Sequence, residues 1–314
     1  MNNLAIRVLV AAVGIPSILL VTLAGGFYFY GFILAIALLG MREFFALARA
    51  KGSQPQSAAG MVLGGLVVTL FLYFKLRALI VGAFLERGVH VPFPSMAQGL
   101  LILLLLFVPL ILTVELFRNK PGALVNVAVT LFGATYLGLF LGSLVGLREL
   151  YIPEDFPVYE YFPSQGTAVP TDIAATLDRW GGYTVIALFV AIWTCDSAAY
   201  FAGRAFGRHK LFERVSPNKT WEGAIAGFIF AIGTFLLARE VVLPYLSLSG
   251  AIVCGAIVGV FGQIGDLAES LLKRDAGVKD SSSLIPGHGG VLDRFDSLLF
   301  VSPLVFLYLD FIVF

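Results

Sequence analysis

Long apolar stretches recur along the whole chain and constrain its fold more than any other feature. A helix needs about 20 mostly apolar residues to cross a bilayer, and nine stretches of the 314-residue sequence approach or exceed that length. A further stretch, 78–86, is too short and is predicted to be interfacial or re-entrant. The sequence therefore predicts an all-α integral membrane protein of about nine transmembrane helices, at 4–24, 26–48, 58–74, 98–117, 122–147, 182–206, 221–243, 249–273 and 291–314.

The composition supports lipid as the solvent for most of the chain. Hydrophobic residues make up 59% and charged residues only 13%, whereas soluble domains carry about 25% charged residues. Both cysteines, Cys195 and Cys254, fall inside predicted spans, where buried thiols are more plausible than a disulfide or a thiolate metal site.

The distribution of Lys and Arg predicts the orientation, because these residues are enriched in cytoplasmic loops. With a cytoplasmic N-terminus and an external C-terminus, fifteen of the 21 cations share the cytoplasmic side. These are Arg7, Arg42, Arg49, Lys51, Arg118, Lys120, Arg204, Arg208, Lys210, Arg214, Lys219, Lys273, Arg274, Lys279 and Arg294. The opposite side keeps six, which are Lys75, Arg77, Arg87, Arg148, Arg179 and Arg239.

Three regions follow from this pattern. Residues 1–147 are predicted to be N-terminal transmembrane helices that carry little chemistry. Residues 148–181, with four prolines and several acids, are predicted to be an external loop or linker. Residues 182–314 are predicted to be a transmembrane catalytic region, because charged residues there lie inside or beside apolar helices.

Charged side chains near the end of the chain are the strongest indication of function. A charge at the bilayer centre costs at least roughly 2.5–3.5 kcal/mol, so such residues need a reason. Asp266, Ser270 and Lys273 are spaced to lie within about 60° on one helix face. Asp293 and Asp296 share a face of the next helix, and the two polar faces are expected to converge.

The loop between these helices has the composition of a phosphate site. Its residues from Lys273 to Gly290 are rich in cations, hydroxyls and glycines, and include Arg274, Lys279 and His288. Cations neutralise phosphate oxygens, glycines let backbone N–H groups approach them, and carboxylates with phosphate oxygens are ligands for Mg²⁺. The alternative is a set of structural ion pairs.

A second polar block lies between the sixth and seventh predicted spans. It runs from Asp196 through Tyr200, and then from Ser216 through Lys219 to Gly223. The run Ser-Pro-Asn-Lys-Thr has helix-start character, so Lys219 and Thr220 could meet an anion at a helix N-terminus. Alone, this block is ambiguous between a topogenic basic loop and a ligand site. Its predicted position on the same face as the first cluster favours the ligand site.

These motifs resemble the phosphatidate cytidylyltransferase family. The resemblance rests on the run Ser270 to Asp296, read as Ser-x-x-Lys-Arg-x4-Lys-Asp, then Ile-Pro-Gly-His-Gly-Gly and Asp-Arg-Phe-Asp. The Asp196-Ser-Ala-Ala-Tyr block, the Ser216-Pro-Asn-Lys-Thr-x-Glu-Gly223 block and Gly265-Asp266-Leu-x-Glu-Ser270 resemble other motifs of that family. Arg7 and the run Arg42-Glu43-Phe resemble it more faintly. No family motif matches 148–181.

The resemblance implies that the phosphate of phosphatidic acid attacks the α-phosphorus of CTP, giving CDP-diacylglycerol and pyrophosphate at a cytoplasmic site of the plasma (inner) membrane. It implies Asp266, Asp293 and Lys219 as catalytic residues. Mg²⁺, with a second cation, would be held by Asp266, Asp293, Asp296 and Asp196. The implied phosphate ligands are Lys273, Arg274, Lys279, His288, Arg294, Ser270, Gly289 and Gly290. It also implies membrane lipids as partners, no nucleic acid and a homodimer.

Two rival functions remain open from the sequence. A CTP-using lipid kinase would attack the γ-phosphorus, and the full Ser270-to-Asp296 run argues against it. A transporter also places charges inside the membrane. Against a transporter, the chain has no evident inverted repeat, and its polar residues gather toward one face instead of the midplane.

Overall fold

The computed structural model of the chain describes residues 3–151 and 171–313. Within them the secondary structure is helical apart from one short hairpin and an isolated bridge between Ile285 and Gly289. The helices are α1 (Asn3–Ala24), α2 (Gly26–Ala50), α3 (Ser57–Leu70), α4 (Tyr73–Leu85), α5 (Met96–Arg118), α6 (Ala123–Glu149), α7 (Thr171–Phe206), α8 (Trp221–Val241), α9 (Leu248–Ile257), α10 (Gln263–Asp275) and α11 (Leu292–Tyr308). The hairpin joins β1 (Lys210–Phe212) to β2 (Ser216–Thr220).

The helices confirm an all-α, multi-pass membrane protein. In the described residues, eight helical segments are long and apolar enough to cross a membrane. The third predicted span differs, because the helix predicted over 58–74 ends at Leu70. After Phe71 and Leu72 the chain turns by 81° into α4, which contains most of the stretch predicted to be interfacial. Phe71 and Leu72 are both buried at this break, and the Phe71 ring packs where Gly142 of α6 has no side chain.

A second difference concerns the predicted loop over 148–181. Helix α6 continues to Glu149 and helix α7 begins at Thr171, eleven residues before the predicted span at 182. Residues 152–170 lie outside the described part of the chain. Both cysteines are buried free thiols, as predicted.

The chain divides into two compact units, Met1–Gly25 with Leu147–Phe314, and Gly26–Gly146. The first helix therefore belongs with the C-terminal helices, where the predicted regions placed it with 26–147. The three-region division by function stays a prediction. All of the predicted site residues lie in the first unit.

The Gly26–Gly146 unit has an apolar core and one buried polar cluster. Leu63, Val67, Ile111 and Ala134 form the core. The buried Glu115 carboxylate accepts hydrogen bonds from Gln56, Asn126 and Arg118 at 2.7–2.8 Å. These contacts tie α5 to the start of α3 and to α6.

Glycines bring the helices of the other unit close together. A Cβ at Gly223 of α8 would lie 2.6 Å from the Ala199 carbonyl oxygen of α7, and a Cβ at Gly265 of α10 would lie 2.6 Å from the Asp296 carbonyl oxygen of α11. Small residues allow such approaches in membrane helices. Asp196, Asp266 and Asp296, one from each of α7, α10 and α11, can therefore face a common space.

Arg148, a buried arginine, caps the C-terminal end of α1. Arg148 donates from Nε to the Thr22 carbonyl at 2.8 Å and from Nη2 to the Leu23 carbonyl at 3.3 Å. It also forms a two-pronged ion pair with Asp178 of α7. The last carbonyls of a helix lack intrahelical partners, so the guanidinium satisfies them while joining α1, α6 and α7.

Candidate active site

A cavity of about 970 Å³ lies between α1, α7, α8, α10 and α11. Its apolar wall comes mainly from α1 and α7, and its polar end from the residues that the sequence singled out. The apolar side chains include Val10, Ile15, Ile18, Phe189 and Trp193; the polar side chains include Asp196, Lys219, Asp266, Lys273, His288, Asp293, Arg294 and Asp296. The structure thus brings both predicted polar blocks together at one place.

Asp266 lies at the centre of the polar end. Its Oδ2 pairs with Lys219 Nζ at 2.7 Å, and its Oδ1 accepts a 3.3 Å hydrogen bond from Ser270. Asp266 also interacts electrostatically with Asp196 and Asp296, which line the same cavity. The side chain of Asp266 is 34% exposed and that of Lys219 is 25% exposed, so both remain accessible to a ligand.

A π-helical turn, Val258–Gly262, joins α9 to α10 and ends about one helical turn before Asp266. Such turns are frequent at functional sites, because the extra residue changes which side chains face a neighbour. Gln263 steadies the turn by donating to the Gly259 carbonyl at 2.6 Å and to the Ala224 carbonyl at 3.0 Å. Gln263 was not among the predicted site residues, although its position one turn before Asp266 on the same helix face could have indicated it.

Lys219 is positioned by the hairpin that precedes α8. In β2, Thr220 pairs with Lys210 across the hairpin, and its side chain caps α8 by accepting from the Gly223 N–H at 3.2 Å. Glu222 accepts from the backbone N–H groups of Arg208 and His209 and contacts the His209 ring at 2.6 Å. The predicted helix start at Thr220 is therefore confirmed, whereas the hairpin was not predicted.

Lys273 is buried between two carboxylates. Its Nζ pairs with Glu269 one turn earlier and with Asp293 Oδ1 at 2.6 Å. A buried charge needs such partners, because leaving one carboxylate or the ammonium alone would be strongly destabilising. Lys273 lines the cavity, but in this arrangement its charge serves first to join α10 to α11. Its role as a phosphate ligand stays a prediction.

Asp293 organises the loop between α10 and α11. Its Oδ2 accepts from the Ser281 N–H at 2.9 Å, the Ser281 hydroxyl at 3.0 Å and the Gly290 N–H at 2.7 Å. Gly289 passes so close, with φ +85°, that a Cβ there would lie 2.6 Å from Oδ2. Both oxygens of Asp293 are thus engaged by the protein. Its predicted part in metal binding is not tested by these contacts.

A smaller cavity of about 570 Å³ adjoins the first. It is lined by Arg7 of α1, by Arg294 of α11 and by the loop residues Lys279, Asp280, Ser282, Ser283, Ile285, Gly287, His288 and Gly289. Asp280, Ile285, His288 and Arg294 line both cavities. Five of the eight predicted phosphate ligands, Lys273, Lys279, His288, Gly289 and Arg294, therefore line one or both of these neighbouring cavities.

Three predicted ligands face neither of these two cavities. Arg274 is exposed and donates to the Val278 carbonyl at 3.3 Å, Ser270 contacts Asp266, and Gly290 contacts Asp293. Their predicted contact with phosphate is untested. Glu269 and Ser281 were also not among the predicted site residues, because their importance depends on the burial of their partners, Lys273 and Asp293.

The polar end fits a hard divalent cation. Among the described residues no group of three or more Asp, Glu, His or Cys side chains is already gathered at metal-binding distances. However, Mg²⁺ is usually held by one or two carboxylates together with water and phosphate oxygens. Asp266, Asp196 and Asp296 supply mutually interacting carboxylates on one cavity, and a cation there would offset their repulsion.

Comparison with known proteins places the chain in a family. The cytidylyltransferase family matches residues 5–312. A phosphatidate cytidylyltransferase of Synechocystis sp. is 32% identical over 96% of this chain and 95% of its own, and one of Haemophilus influenzae is 32% identical over 95% of each. A third, of Bacillus subtilis, is 45% identical over 42% of this chain and 49% of its own. The chain therefore belongs to the cytidylyltransferase family, which confirms the resemblance that its motifs indicated.

Proposed function

We propose that the chain transfers the cytidylyl group of CTP to phosphatidic acid, giving CDP-diacylglycerol and pyrophosphate for phospholipid biosynthesis. The observation that carries this proposal is the larger cavity, whose apolar walls continue into an end with cations and carboxylates. Apolar walls suit the acyl chains of a lipid, and the cations suit its phosphate. The names of the full-length relatives support the same reaction.

The reaction needs no protein nucleophile. A non-bridging oxygen of the lipid phosphate forms the new bond to the α-phosphorus of CTP, and the bond from that phosphorus to the β-bridging oxygen breaks. Pyrophosphate leaves with the electron pair. The second pKa of a phosphomonoester is about 6, so the attacking oxygen is already anionic near neutral pH and a general base would add little.

The residues of the cavity act by positioning and by neutralising charge. Lys219 and Arg294 bring two cations to the space that Asp266 and Asp296 also line. His288 is held by a backbone hydrogen bond from its N–H to the Ile285 carbonyl at 2.9 Å. Its ring Nδ1 lies 3.5 Å from the Pro286 carbonyl oxygen, which leaves Nε2 to donate to a phosphate oxygen.

Magnesium would be held by Asp266 with Asp196 or Asp296, and its charge would stabilise the phosphate oxygens of both substrates. In the structure, Lys219 forms an ion pair with Asp266. With Mg²⁺ on that carboxylate, the Lys219 ammonium would be available to the phosphate oxygens.

We propose further that the site faces the cytoplasm of the plasma (inner) membrane, with a cytoplasmic N-terminus and an external C-terminus. The Lys and Arg bias supports this orientation, and CTP is a cytosolic nucleotide. The resemblance also supports a homodimer, for which the expected result is twice the monomer mass in native mass spectrometry from detergent.

Product analysis tests the reaction. Purified protein is incubated with Mg²⁺, phosphatidic acid and CTP labelled separately at its α- and γ-phosphates. We expect the α-label in the lipid and the γ-label in pyrophosphate. The γ-label in the lipid would instead identify a kinase, and no transfer under conditions where a known relative works would contradict catalysis.

A further inference from the structure

The smaller cavity differs in character from the larger one. Of its ten lining residues only Ile285 has a large apolar side chain. Arg7, Lys279 and Arg294 are basic side chains, His288 adds a hydrogen-bond donor, and Asp280 is the one carboxylate among these lining residues. This excess of cations without an apolar wall suits a water-soluble polyanion and does not suit a lipid.

The position of Arg7 is set by packing. Gly287 has φ +75°, and a Cβ placed on it would lie 3.1 Å from Cγ of Arg7. The aliphatic part of Arg7 therefore packs on the turn of the loop, which leaves its guanidinium for the cavity. Within the described chain, neither Arg7 nor Lys279 forms a hydrogen bond or an ion pair through its side chain, so both charges are available to a ligand.

The two cavities share a wall formed by Asp280, Ile285, His288 and Arg294. A ligand whose reacting phosphorus lies beside Asp266 in the larger cavity can thus extend past His288 and Arg294 into the smaller one. A triphosphate has this extended, highly charged form, whereas the single phosphate of a diacyl lipid must stay near the apolar walls of the larger cavity.

From this geometry we propose that the smaller cavity binds the β- and γ-phosphates of CTP, and afterwards pyrophosphate, and that Arg7 of the first helix is one of their ligands. The inference rests on the proposed function for the identity of the nucleotide. It assigns a substrate-binding role to a helix that lies far in sequence from the Ser270-to-Asp296 run.

The experiment measures binding by calorimetry in detergent, with inorganic pyrophosphate, CTP, CMP and short-chain phosphatidic acid as separate probes. Arg7→Ala should weaken pyrophosphate and CTP binding by about tenfold to a hundredfold, the range for a lost charge-assisted hydrogen bond. It should leave CMP and phosphatidic acid binding unchanged, which also shows that the variant is folded. Arg7→Lys should fall between the variant and the wild type, because a lysine keeps the charge and loses the two-pronged contact.

Arg214→Ala is the matched control, since Arg214 is exposed in the β1–β2 turn and lines neither of the two cavities. It should bind all four probes like the wild type. Weaker binding of phosphatidic acid but not of pyrophosphate in Arg7→Ala would assign the cavity to the lipid phosphate and overturn the proposal. Unchanged binding of every probe would overturn it as well.

The two proposals fail in distinguishable ways. If the wild-type protein makes no CDP-diacylglycerol but Arg7→Ala still weakens pyrophosphate binding, the reaction is wrong and the polyphosphate site stands. If the wild-type protein makes CDP-diacylglycerol and Arg7→Ala binds pyrophosphate normally, the reaction stands and the site is wrong.

Discussion

At the scale of single residues, Arg148 shows how a buried charge can stabilise a membrane protein. Its side chain is 1% exposed, whereas that of its partner Asp178 is 54% exposed. Water can therefore resolvate Asp178 if the arginine is removed, and the main loss would be the hydrogen bonds to Thr22 and Leu23. Hydrogen bonds from a charged group are worth roughly 1.5–3 kcal/mol.

We therefore expect Arg148→Ala to lower the free energy of unfolding by about 2–3 kcal/mol, measured by denaturant titration in detergent. Arg179→Ala is the control, because Arg179 is exposed and its side chain donates to the Thr176 hydroxyl one turn earlier in α7. Equal effects of the two substitutions would contradict a stabilising role for the hydrogen bonds from Arg148 to the end of α1.

Asp266 offers a cleaner test of catalysis than Asp293. Asp266 is partly exposed, and among the described residues Lys219 is the one cation that forms an ion pair with it, so Asp266→Asn should preserve the fold. We expect its kcat to fall by about 10²–10³, the usual loss for one electrostatic group at a reacting centre, with an unchanged thermal transition. Wild-type kcat in this variant would remove Asp266 from the catalytic residues.

Asp293→Asn should behave differently, because the buried carboxylate accepts four hydrogen bonds, from Lys273, Ser281 and Gly290. Loss of its charge leaves Lys273 with Glu269 as its remaining close anion. We expect a loss of activity accompanied by a lower thermal transition and faster proteolysis of the loop 276–291. Loss of activity with unchanged stability would favour a direct metal or substrate role.

Much of the site could be predicted because a charged side chain in a membrane helix is energetically costly, so its presence indicates a function. Asp196, Asp266, Asp293 and Asp296 were predicted in this way, and all four line one cavity. Residues that face the cavity could not be separated from residues that position them, because the difference lies in burial. Lys273 and Arg274 are neighbours in the sequence, yet one is buried between carboxylates and the other is exposed.

At the scale of helices, glycines determine how closely the helices that line the larger cavity approach one another. In Gly265→Ala the new Cβ would lie 2.6 Å from the Asp296 carbonyl oxygen, and a backbone atom cannot move aside as a flexible side chain can. We expect α10 to shift from α11, lowering stability by about 1–3 kcal/mol and reducing kcat, because Asp266 is the next residue.

Gly233→Ala in α8 is the matched control, since nothing lies within 4 Å of a Cβ at that position. Alanine favours a helix over glycine by about 1 kcal/mol, so this variant should be as stable as the wild type or slightly more stable, with normal kcat. Comparable kcat losses in both variants would show that helix composition, and not close approach, explains the effect.

The helices could be predicted from the length and hydropathy of the apolar stretches, whereas the breaks within them could not. The break at Phe71 and Leu72 falls between apolar residues, so no polar or proline residue marks it in the sequence. The π-helical turn Val258–Gly262 is equally apolar. Both are decided by packing against neighbouring helices, which a single sequence does not display.

The β1–β2 hairpin was not predicted either. It depends on the backbone pairing of Lys210 with Thr220, and its short strands resemble a loop in composition.

At the scale of the whole molecule, the open question concerns the bent pair α3–α4, which either crosses the membrane or returns to the side where it began. We predict that it crosses. Single cysteines introduced at Lys51, His90 and Lys120, all exposed, should then react with an impermeant maleimide from the cytoplasmic, external and cytoplasmic sides respectively. The native thiols are buried and give a low background. Labelling of position 90 from the same side as position 51 would make the pair re-entrant.

The contact of Arg148 with the end of α1 supplies a parity argument for the same conclusion. Because its guanidinium binds the carbonyls of Thr22 and Leu23, the last turns of α1 and α6 lie at the same face of the bilayer. A chain that leaves one face and returns to it must cross an even number of times. The helices α2, α5 and α6 are each long and apolar enough to cross once, so we predict that the bent pair supplies a fourth crossing. The same count predicts that the two termini lie on opposite sides of the membrane, which makes the contacts of one guanidinium a constraint on the topology of the whole chain.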